Sequence, residues 1–293
     1  MGFDREKFDE IKAAFTIDDD ALRKIADDFR ADMCAGLAGK EGATLRMLRS
    51  YAGLPSGKEH GSFLALDFGG TNVRALRILL KGGGEYEVLS KVAKPLTLPG
   101  VYDYVSADAT AEEMFDFLAG IIDEAIDGNR ETKYLLGHTF SFPSQQTNLN
   151  NAKLIVWTKE FATQGVEGKV VNDLLKEALA RRGMTNVTPV AVINDTVAVL
   201  LAAAYKHEHT YIGSIYATGQ NTCYYEEFAD GSETPTVINM ESGGFGHLPF
   251  SKYDDILDRE SEQPGAQRLE KMVSGRYLGT LYGAALADLL GAD

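Results

Sequence analysis

The chain opens with a polar stretch in which single apolar residues recur at helical spacing. Negative charge at 18–20 suits a helix start, and apolar positions follow at Leu22, Ile25, Phe29 and Met33. This pattern predicts a helical segment over the first 38 residues. Glycine and proline then become frequent across 39–61, which predicts a connector.

Three apolar runs joined by short turns come next, at 62–67, 73–80 and 86–92. The turn between the last two contains Gly82, Gly83 and Gly84. Runs of this length between glycine-rich turns predict an antiparallel meander of three strands.

The rest of the chain alternates helical and strand patterns. Thr110 and Glu113 have the spacing of a capping box, which opens a predicted helix. Strands are predicted at 134–140, 154–156, 187–193, 211–217, 222–228 and 236–239, and further helices at 168–182 and 196–205. Such alternation is typical of an α/β fold.

Two segments share one pattern, an apolar strand, a turn with glycine and asparagine, and a returning strand. They are LALDFGGTNVRAL at 64–76 and GSIYATGQNTCYY at 213–225. The similarity lies in the pattern more than in the letters. It suits a duplicated fold with a cleft between its halves.

Composition narrows the class of protein. The 293 residues suggest two domains, and the net charge of −14 argues against binding nucleic acid or an anionic membrane surface. The two cysteines, Cys34 and Cys223, are too few for a disulfide framework or a four-cysteine zinc site. We see no signal-peptide pattern in residues 1–30, and the longest apolar stretch, 197–205, is too short to span a bilayer. A soluble cytoplasmic protein is expected, with no prediction about its oligomeric state.

The turn from Asp67 to Asn72 is the first candidate for chemistry. Its glycines allow the backbone to approach a ligand closely, and its successive N–H groups could bind an anion. Asp67, at the strand end, could hold a hydrated Mg²⁺. The alternative is an ordinary hairpin turn. The chain has neither a Walker A sequence nor G-x-G-x-x-G, which argues against P-loop and Rossmann folds.

Further polar residues follow predicted strands. Asp195 is either a helix N-cap or a general base at a strand end, and Glu241 either binds a polyol hydroxyl or is solvated. Lys159 follows Trp157, which we expect in the core. His207 and His209 lack a third metal ligand and are interpreted as surface residues.

Taken together, these motifs resemble the eukaryotic-type hexokinase family. LGHTFSFP at 136–143, LN at 149–150 and LIVWTKEF at 154–161 resemble its sugar-site signature. DFGGTNVR at 67–74 and ATGQNTCYYE at 217–226 resemble its two phosphate motifs, and INDT at 193–196 its catalytic segment. INMESGGFG at 238–246, PG at 264–265 and EKMVSGRYLG at 270–279 continue the match.

The resemblance implies an α/β fold of the actin-like ATPase (RNase H-like) type with two lobes. The small lobe would be 60–194, and the large lobe would comprise 1–59 and 195–293. Relatives continue beyond the point that matches Asp293, so the large lobe is expected to be incomplete. Two departures from the family pattern stand out. His138 replaces a usual Phe, Arg259 replaces a usual sugar-binding Glu, and Glu260 lies one position later.

The activity implied is phosphorylation of the 6-hydroxyl of a hexose, glucose above all, by Mg-ATP. Asp195 would be the general base, with Lys159 as a second catalytic residue. The sugar would contact Ser141, Phe142, Thr158, Lys159, Asn194, Asp195, Asn221, Glu241 and Glu260. ATP would contact Asp67, Gly69, Gly70, Thr71, Asn72, Arg74, Thr218 and Gly219, and Asp67 would hold Mg²⁺ through water.

Three alternatives remain at this point. A bacterial-type sugar kinase would share Asp67 and its turn, but that family's zinc-binding cysteine cluster is absent from the sequence. A second is a hexokinase-like module that binds sugar, for sensing or regulation, without turnover, or an inactive fragment of the enzyme. The third is an α/β protein whose turns match by chance.

Overall fold

A computed structural model describes residues 4–157, 161–228 and 233–291. The chain divides into two compact units. The first comprises Met1–Leu48, Ile212–Tyr224 and Asn239–Asp293, and the second comprises Arg49–Tyr211 and Tyr225–Ile238. The lobe boundaries expected from the resemblance stay a prediction, because compact units of a chain need not coincide with lobes.

Helices and strands alternate along most of the chain. The helices are α1 Arg5–Ala14, α2 Asp19–Leu37, α3 Ala111–Ala125, α4 Val171–Arg181, α5 Asp195–Lys206, α6 Lys252–Glu260, α7 Arg268–Val273 and α8 Gly275–Leu290, with a 3₁₀ turn at Ser242–Gly244. The strands are β1 Leu48–Arg49, β2 His60–Phe68, β3 Asn72–Gly82, β4 Glu85–Pro95, β5 Thr97–Leu98, β6 Tyr102–Asp103, β7 Tyr134–Phe140, β8 Ser144–Gln145, β9 Lys153–Leu154, β10 Val187–Ile193, β11 Ile212–Tyr216, β12 Gln220–Glu226 and β13 Thr236–Asn239.

The second unit is built on a five-stranded sheet of order β10-β7-β2-β3-β4. Strands β2, β3 and β4 pair antiparallel, which confirms the predicted meander. Strands β7 and β10 run parallel to β2. Helices α3 and α4 pack against this sheet and each other. Their buried apolar side chains, such as Met114 and Leu175, join those of Leu66 and Phe68 in one core.

Side-chain caps are present at two of the predicted helix starts. Thr110 and Glu113 form the capping box at the start of α3, where Glu113 N donates to Thr110 Oγ1 and Thr110 N donates to Glu113 Oε2. Asp18 caps α2 by accepting from Ala21 N at 2.8 Å. Each cap satisfies a backbone donor that the first helical turn leaves unpaired.

The first unit contains the hairpin β11–β12 and a helical layer that no sequence pattern led us to predict. Tyr253 and Leu257 of α6 pack against Leu281 and Ala285 of α8. Helix α1 joins this layer through the ion pair of Lys7 with Asp288, at 3.0 Å. The pKa of Asp288 lies well below its usual range because Lys252, Tyr253 and Lys7 donate hydrogen bonds to its carboxylate.

Two sequence expectations were wrong in detail. The strand expected at 154–156 is the two-residue β9, since Ile155 and Val156 are exposed and lie beyond its pairing with β8. The helix expected at 168–182 begins only at Val171, after Gly168 with φ +75°. The first 38 residues are largely helical as predicted, in two helices separated by residues 15–18, and the second begins at the predicted start. Within the residues described, we find no helix with the length and apolar character needed to cross a membrane.

Candidate active site

Three parallel strands of the second unit end at one edge of its sheet. Asp67 of β2 lies opposite Thr139 of β7, and Thr139 lies opposite Ile193 of β10. With neighbouring strands about 4.8 Å apart, the three backbones form a row about 10 Å long. Asn194 and Asp195 follow Ile193 directly. The sheet therefore brings two predicted carboxylates, those of Asp67 and Asp195, to the same edge.

Asp67 is held at both carboxylate oxygens. Arg74 Nη1 donates to Oδ2 at 2.7 Å, and the hydroxyl of Thr139 donates to Oδ1 at 2.9 Å. The side chain remains 38% exposed, so a ligand can still reach it. Arg74, expected to contact ATP, pairs with this carboxylate, and Thr139 is a site residue that sequence reasoning missed. No local sequence pattern marks this contact, because it depends on the register between β2 and β7.

The glycine-rich turn follows Asp67 directly. Gly69 N donates to the carbonyl of Asn72 at 3.2 Å, which closes the turn. Thr71 and Asn72 are exposed, and Gly69 and Gly70 are half-buried. A turn of this form leaves its backbone open to an anionic ligand.

Asn194 and Asp195 occupy different positions at the start of α5. Asn194 is the N-cap, and its Oδ1 accepts from Thr196 N at 2.8 Å. The interpretation of Asp195 as the N-cap was therefore wrong. Asp195 is the first helical residue, half-buried, and its Oδ1 also accepts from Thr196 N, at 2.9 Å. Its carboxylate therefore lies at the positive end of the helix dipole.

The segment after β7 contains two candidate sugar contacts, one partly accessible and one in the core. Ser141 is half-buried. The ring of Phe142 is buried against Trp157 and Phe161, so a ligand can contact Phe142 only through its backbone. Trp157 lies in the core as expected, and its indole N–H donates to Thr163 O at 2.9 Å. The predicted site residues Thr158 and Lys159 lie outside the described residues.

A chain of amides links two candidate sugar ligands in the first unit. Asn221 Nδ2 donates to Asn239 Oδ1 at 2.8 Å, and Asn239 Nδ2 donates to Glu241 Oε1 at 2.7 Å. Glu241 also has a left-handed backbone, with φ 52°. Glu241 is therefore held in place rather than simply solvated. Asn239 was missed because the sequence marks it only as the end of a strand.

The remaining phosphate candidates, Thr218 and Gly219, lie in the turn between β11 and β12. Thr218 is exposed and Gly219 is half-buried. The adjacent residue Gln220 donates its N–H to Glu270 Oε2 at 2.8 Å. The turn thus has a fixed backbone with one exposed hydroxyl.

Arg259 and Glu260 are the last two residues of helix α6. This is where the chain departs from the family pattern, which has a sugar-binding Glu at the position of Arg259. Both are exposed, and Arg259 Nε donates to Asp255 O at 3.2 Å. The following loop is anchored by Asp258, which accepts from Gly265 N and Lys271 Nζ. Burial alone raises the pKa of Asp258, but these donors bring it below its usual value.

His138 is buried in the core of the second unit. It is 2% exposed, and neither ring nitrogen has a hydrogen-bond partner within the described part of the chain. Burial lowers its pKa to about 4, so the imidazole is neutral at pH 7. His138 stands directly before Thr139 in β7, but its side chain alternates to the opposite face of the sheet.

The oxygen donors at the sheet edge fit a magnesium ion that is also bound by phosphates. Mg²⁺ is commonly held by one or two carboxylates together with substrate phosphates and water. Asp67 supplies one partly exposed carboxylate beside the turn. Residues 4–157, 161–228 and 233–291 contain no group of three or more His, Cys, Asp or Glu side chains arranged for a metal held by protein alone.

Comparison with known proteins gives consistent matches across the chain. Two family profiles, both described as hexokinase, match residues 7–205 and 211–292. Hexokinase-1 of Schizosaccharomyces pombe is 36% identical over 302 residues, covering 97% of this chain and 61% of that protein. The chain therefore spans less than two thirds of this curated relative.

Solved structures of hexokinases also superpose on this chain. A crystal structure of a hexokinase superposes with a TM-score of 0.87 at 36% identity, covering 98% of this chain and 67% of the other. A hexokinase from Schistosoma mansoni in complex with glucose superposes with a TM-score of 0.79 at 34% identity, with the same coverage.

Proposed function

The chain belongs to the hexokinase family, with the α/β fold of the actin-like ATPases, and from this premise we propose that it transfers the γ-phosphoryl group of ATP to the 6-hydroxyl of a hexose. Glucose is the substrate we favour, since the Schistosoma mansoni relative is a glucose complex. The observation that carries the proposal is the shared sheet edge of Asp67 and Asp195. We assign the carboxylate of Asp67 to the metal-bound phosphates and that of Asp195 to the sugar hydroxyl.

Asp195 is the proposed general base. Its carboxylate accepts the proton of the 6-hydroxyl while that oxygen attacks the γ-phosphorus, and the bond to ADP breaks. The contact with Thr196 N fixes the orientation of this carboxylate. Phosphoryl transfer depends chiefly on such positioning.

Sugar recognition is assigned to amides and carboxylates, because each can hold several hydroxyls in fixed directions. Asn239 links Asn221 and Glu241, so these two ligands are oriented before the sugar arrives. The further proposed contacts are Ser141, the backbone of Phe142, Thr158, Lys159, Asn194 and Glu260. A hydroxyl of the wrong epimer leaves one of these groups unpaired, which disfavours its binding.

Nucleotide binding is assigned to the two turns. The backbone of Gly69, Gly70 and Thr71 and the exposed Thr218 are proposed to contact phosphates, together with Asn72 and Gly219. Mg²⁺, when bound through Asp67 and water, neutralises charge on the phosphates. Arg74 acts through its contact with Asp67.

The test is the release of ADP from Mg-ATP by this chain, with and without glucose. We expect glucose-dependent release that falls at least about 100-fold in Asp195→Ala. Asp173→Ala is the matched control, since Asp173 is an exposed aspartate in the first turn of α4. Glucose binding measured by calorimetry should survive in both variants.

Two results would contradict the proposal in different ways. Glucose binding without ADP release would favour a sugar-binding module without turnover. ADP release that is unchanged in Asp195→Ala would remove Asp195 from the mechanism.

A further inference from the structure

The turn between β11 and β12 is held by hydrogen bonds from α7 and from the first residues of α8. Gln220 N donates to Glu270 Oε2 at 2.8 Å. Gly275 N donates to Ala217 O at 2.8 Å, and Arg276 N donates to Thr218 O at 3.2 Å. The first N–H groups of α8 are thus satisfied by carbonyls of the turn, so both segments are fixed together.

Glu270 supplies the only side chain among these three bonds. Its carboxylate is a charged acceptor, and a hydrogen bond to a charged acceptor is stronger than one between neutral groups. The bond occupies the N–H of Gln220, which is consequently not offered to a ligand. Thr218, two residues earlier, stays exposed.

The carboxylate of Glu270 lies in the space that a side chain at position 219 would occupy. A Cβ at position 219 would lie 2.6 Å from Glu270 Oε2, closer than real Cβ contacts. Gly219 is not among the positive-φ residues, so its backbone does not itself demand glycine. The family resemblance implied instead that Gly219 contacts ATP.

A second glycine makes room on the other side of Glu270. A Cβ at Gly243 would lie 3.0 Å from the Cβ of Glu270 and 2.9 Å from the carbonyl of Gln220. Glu270 is therefore confined between the turn and the 3₁₀ segment. A side chain confined in this way holds its hydrogen-bond partner in one place.

We propose that Glu270 is a positioning residue that fixes the Ala217–Gln220 turn, and that Gly219 is glycine to admit the Glu270 carboxylate. The consequence for nucleotide affinity rests on the proposed function, because it assumes that Thr218 and Gly219 contact phosphate. The contact between Glu270 and Gln220 does not depend on that assumption.

The first experiment measures hydrogen exchange at the Gln220 amide, which needs no activity. Glu270→Ala removes the acceptor and should accelerate exchange at least about 10-fold, since a hydrogen bond to a charged group is lost. Glu270→Gln keeps an acceptor oxygen and should largely retain protection. Glu177→Ala is the matched control, because Glu177 is an exposed glutamate of α4 and belongs to the second unit rather than to the unit that contains the turn.

The second experiment is a double-mutant cycle on thermal stability. Gly219→Ala should lower Tm in the native background and less when combined with Glu270→Ala, because the clash with the carboxylate is then absent. In the kinase assay, Glu270→Ala should raise the KM for ATP about 10-fold with glucose affinity unchanged.

Either of two results overturns the proposal: unchanged exchange of Gln220 in Glu270→Ala, or additive effects of the two substitutions on Tm. An equal loss of glucose and ATP affinity would show a general structural role instead. Absence of kinase activity in the native chain would contradict the proposed function, but exchange and stability would still decide the role of Glu270.

Discussion

Arg74 and Asp67 face each other across the antiparallel pair β2–β3, and the guanidinium of Arg74 donates to Asp67 Oδ2 at 2.7 Å. Thr139, on the parallel neighbour β7, donates to the other oxygen. The proposed magnesium-binding carboxylate is thus oriented by residues on both adjacent strands. Partners of this kind commonly change metal affinity when they are removed.

Thr139→Val should weaken the response to magnesium. The substitution keeps the shape of the side chain and removes the donor to Asp67 Oδ1, so we expect the Mg²⁺ concentration for half-maximal activity to rise about 10-fold. A titration of glucose phosphorylation against Mg²⁺ measures this. Thr139→Ser keeps the hydroxyl and should behave like the native chain. Equal magnesium dependence of the Val and Ser variants would show that Thr139 does not act through Asp67.

Asn239→Ala should lower glucose affinity, because the amide that orients Asn221 and Glu241 is removed. We expect the Kd, measured by calorimetry, to rise about 10-fold, the cost of one or two buried hydrogen bonds. Asn186→Ala is the control, since Asn186 is also buried but donates to the carbonyls of Asn129 and Thr132. If both variants bind glucose alike, Asn239 has no specific role in the site.

His138→Phe should stabilise the fold. The native imidazole is buried, and neither ring nitrogen has a partner within the described residues, whereas a phenyl ring needs none. We expect the free energy of unfolding at pH 7, from urea denaturation, to rise by about 1–3 kcal/mol. His207→Phe, at an exposed position, should stay within about 0.5 kcal/mol of the native value. A destabilised His138→Phe variant would indicate that the core has no room for the larger ring.

The same residue should make stability depend on pH. The pKa of His138 is about 4 in the folded protein against 6.5 for an ordinary histidine. Between these values the unfolded chain binds the proton and the folded chain does not, so stability falls as the pH drops from 6.5 towards 4. The loss approaches about 3 kcal/mol at pH 4.

Urea denaturation of the native chain and of His138→Phe between pH 4 and pH 7 isolates this effect, because other titrating groups are common to both. The difference in stability between the two should grow as the pH falls. A constant difference over this range would contradict a depressed pKa at His138.

Local patterns accounted for much of the fold. The meander, the capping box at Thr110, and the strands at 134–140 and 187–193 follow from periodicity and end signals that lie within a few residues. The same reasoning failed for Ile155 and Val156, where an apolar run is exposed, because burial depends on what the rest of the chain places over a segment. It also missed α6 and α8, whose contacts with each other bury Tyr253 and Leu281.

The sequence by itself determined the family, the order of the elements as far as β13, and the positions of Asp67, Asp195 and Glu241. Tertiary structure alone decided what these residues contact. Thr139 reaches Asp67 across 72 positions, and Glu270 reaches Gln220 across 50. Strand register and helix packing create such contacts between distant segments. Spacing along the chain reveals only local structure. A carboxylate can therefore be recognised in the sequence, whereas the residues that donate hydrogen bonds to it cannot.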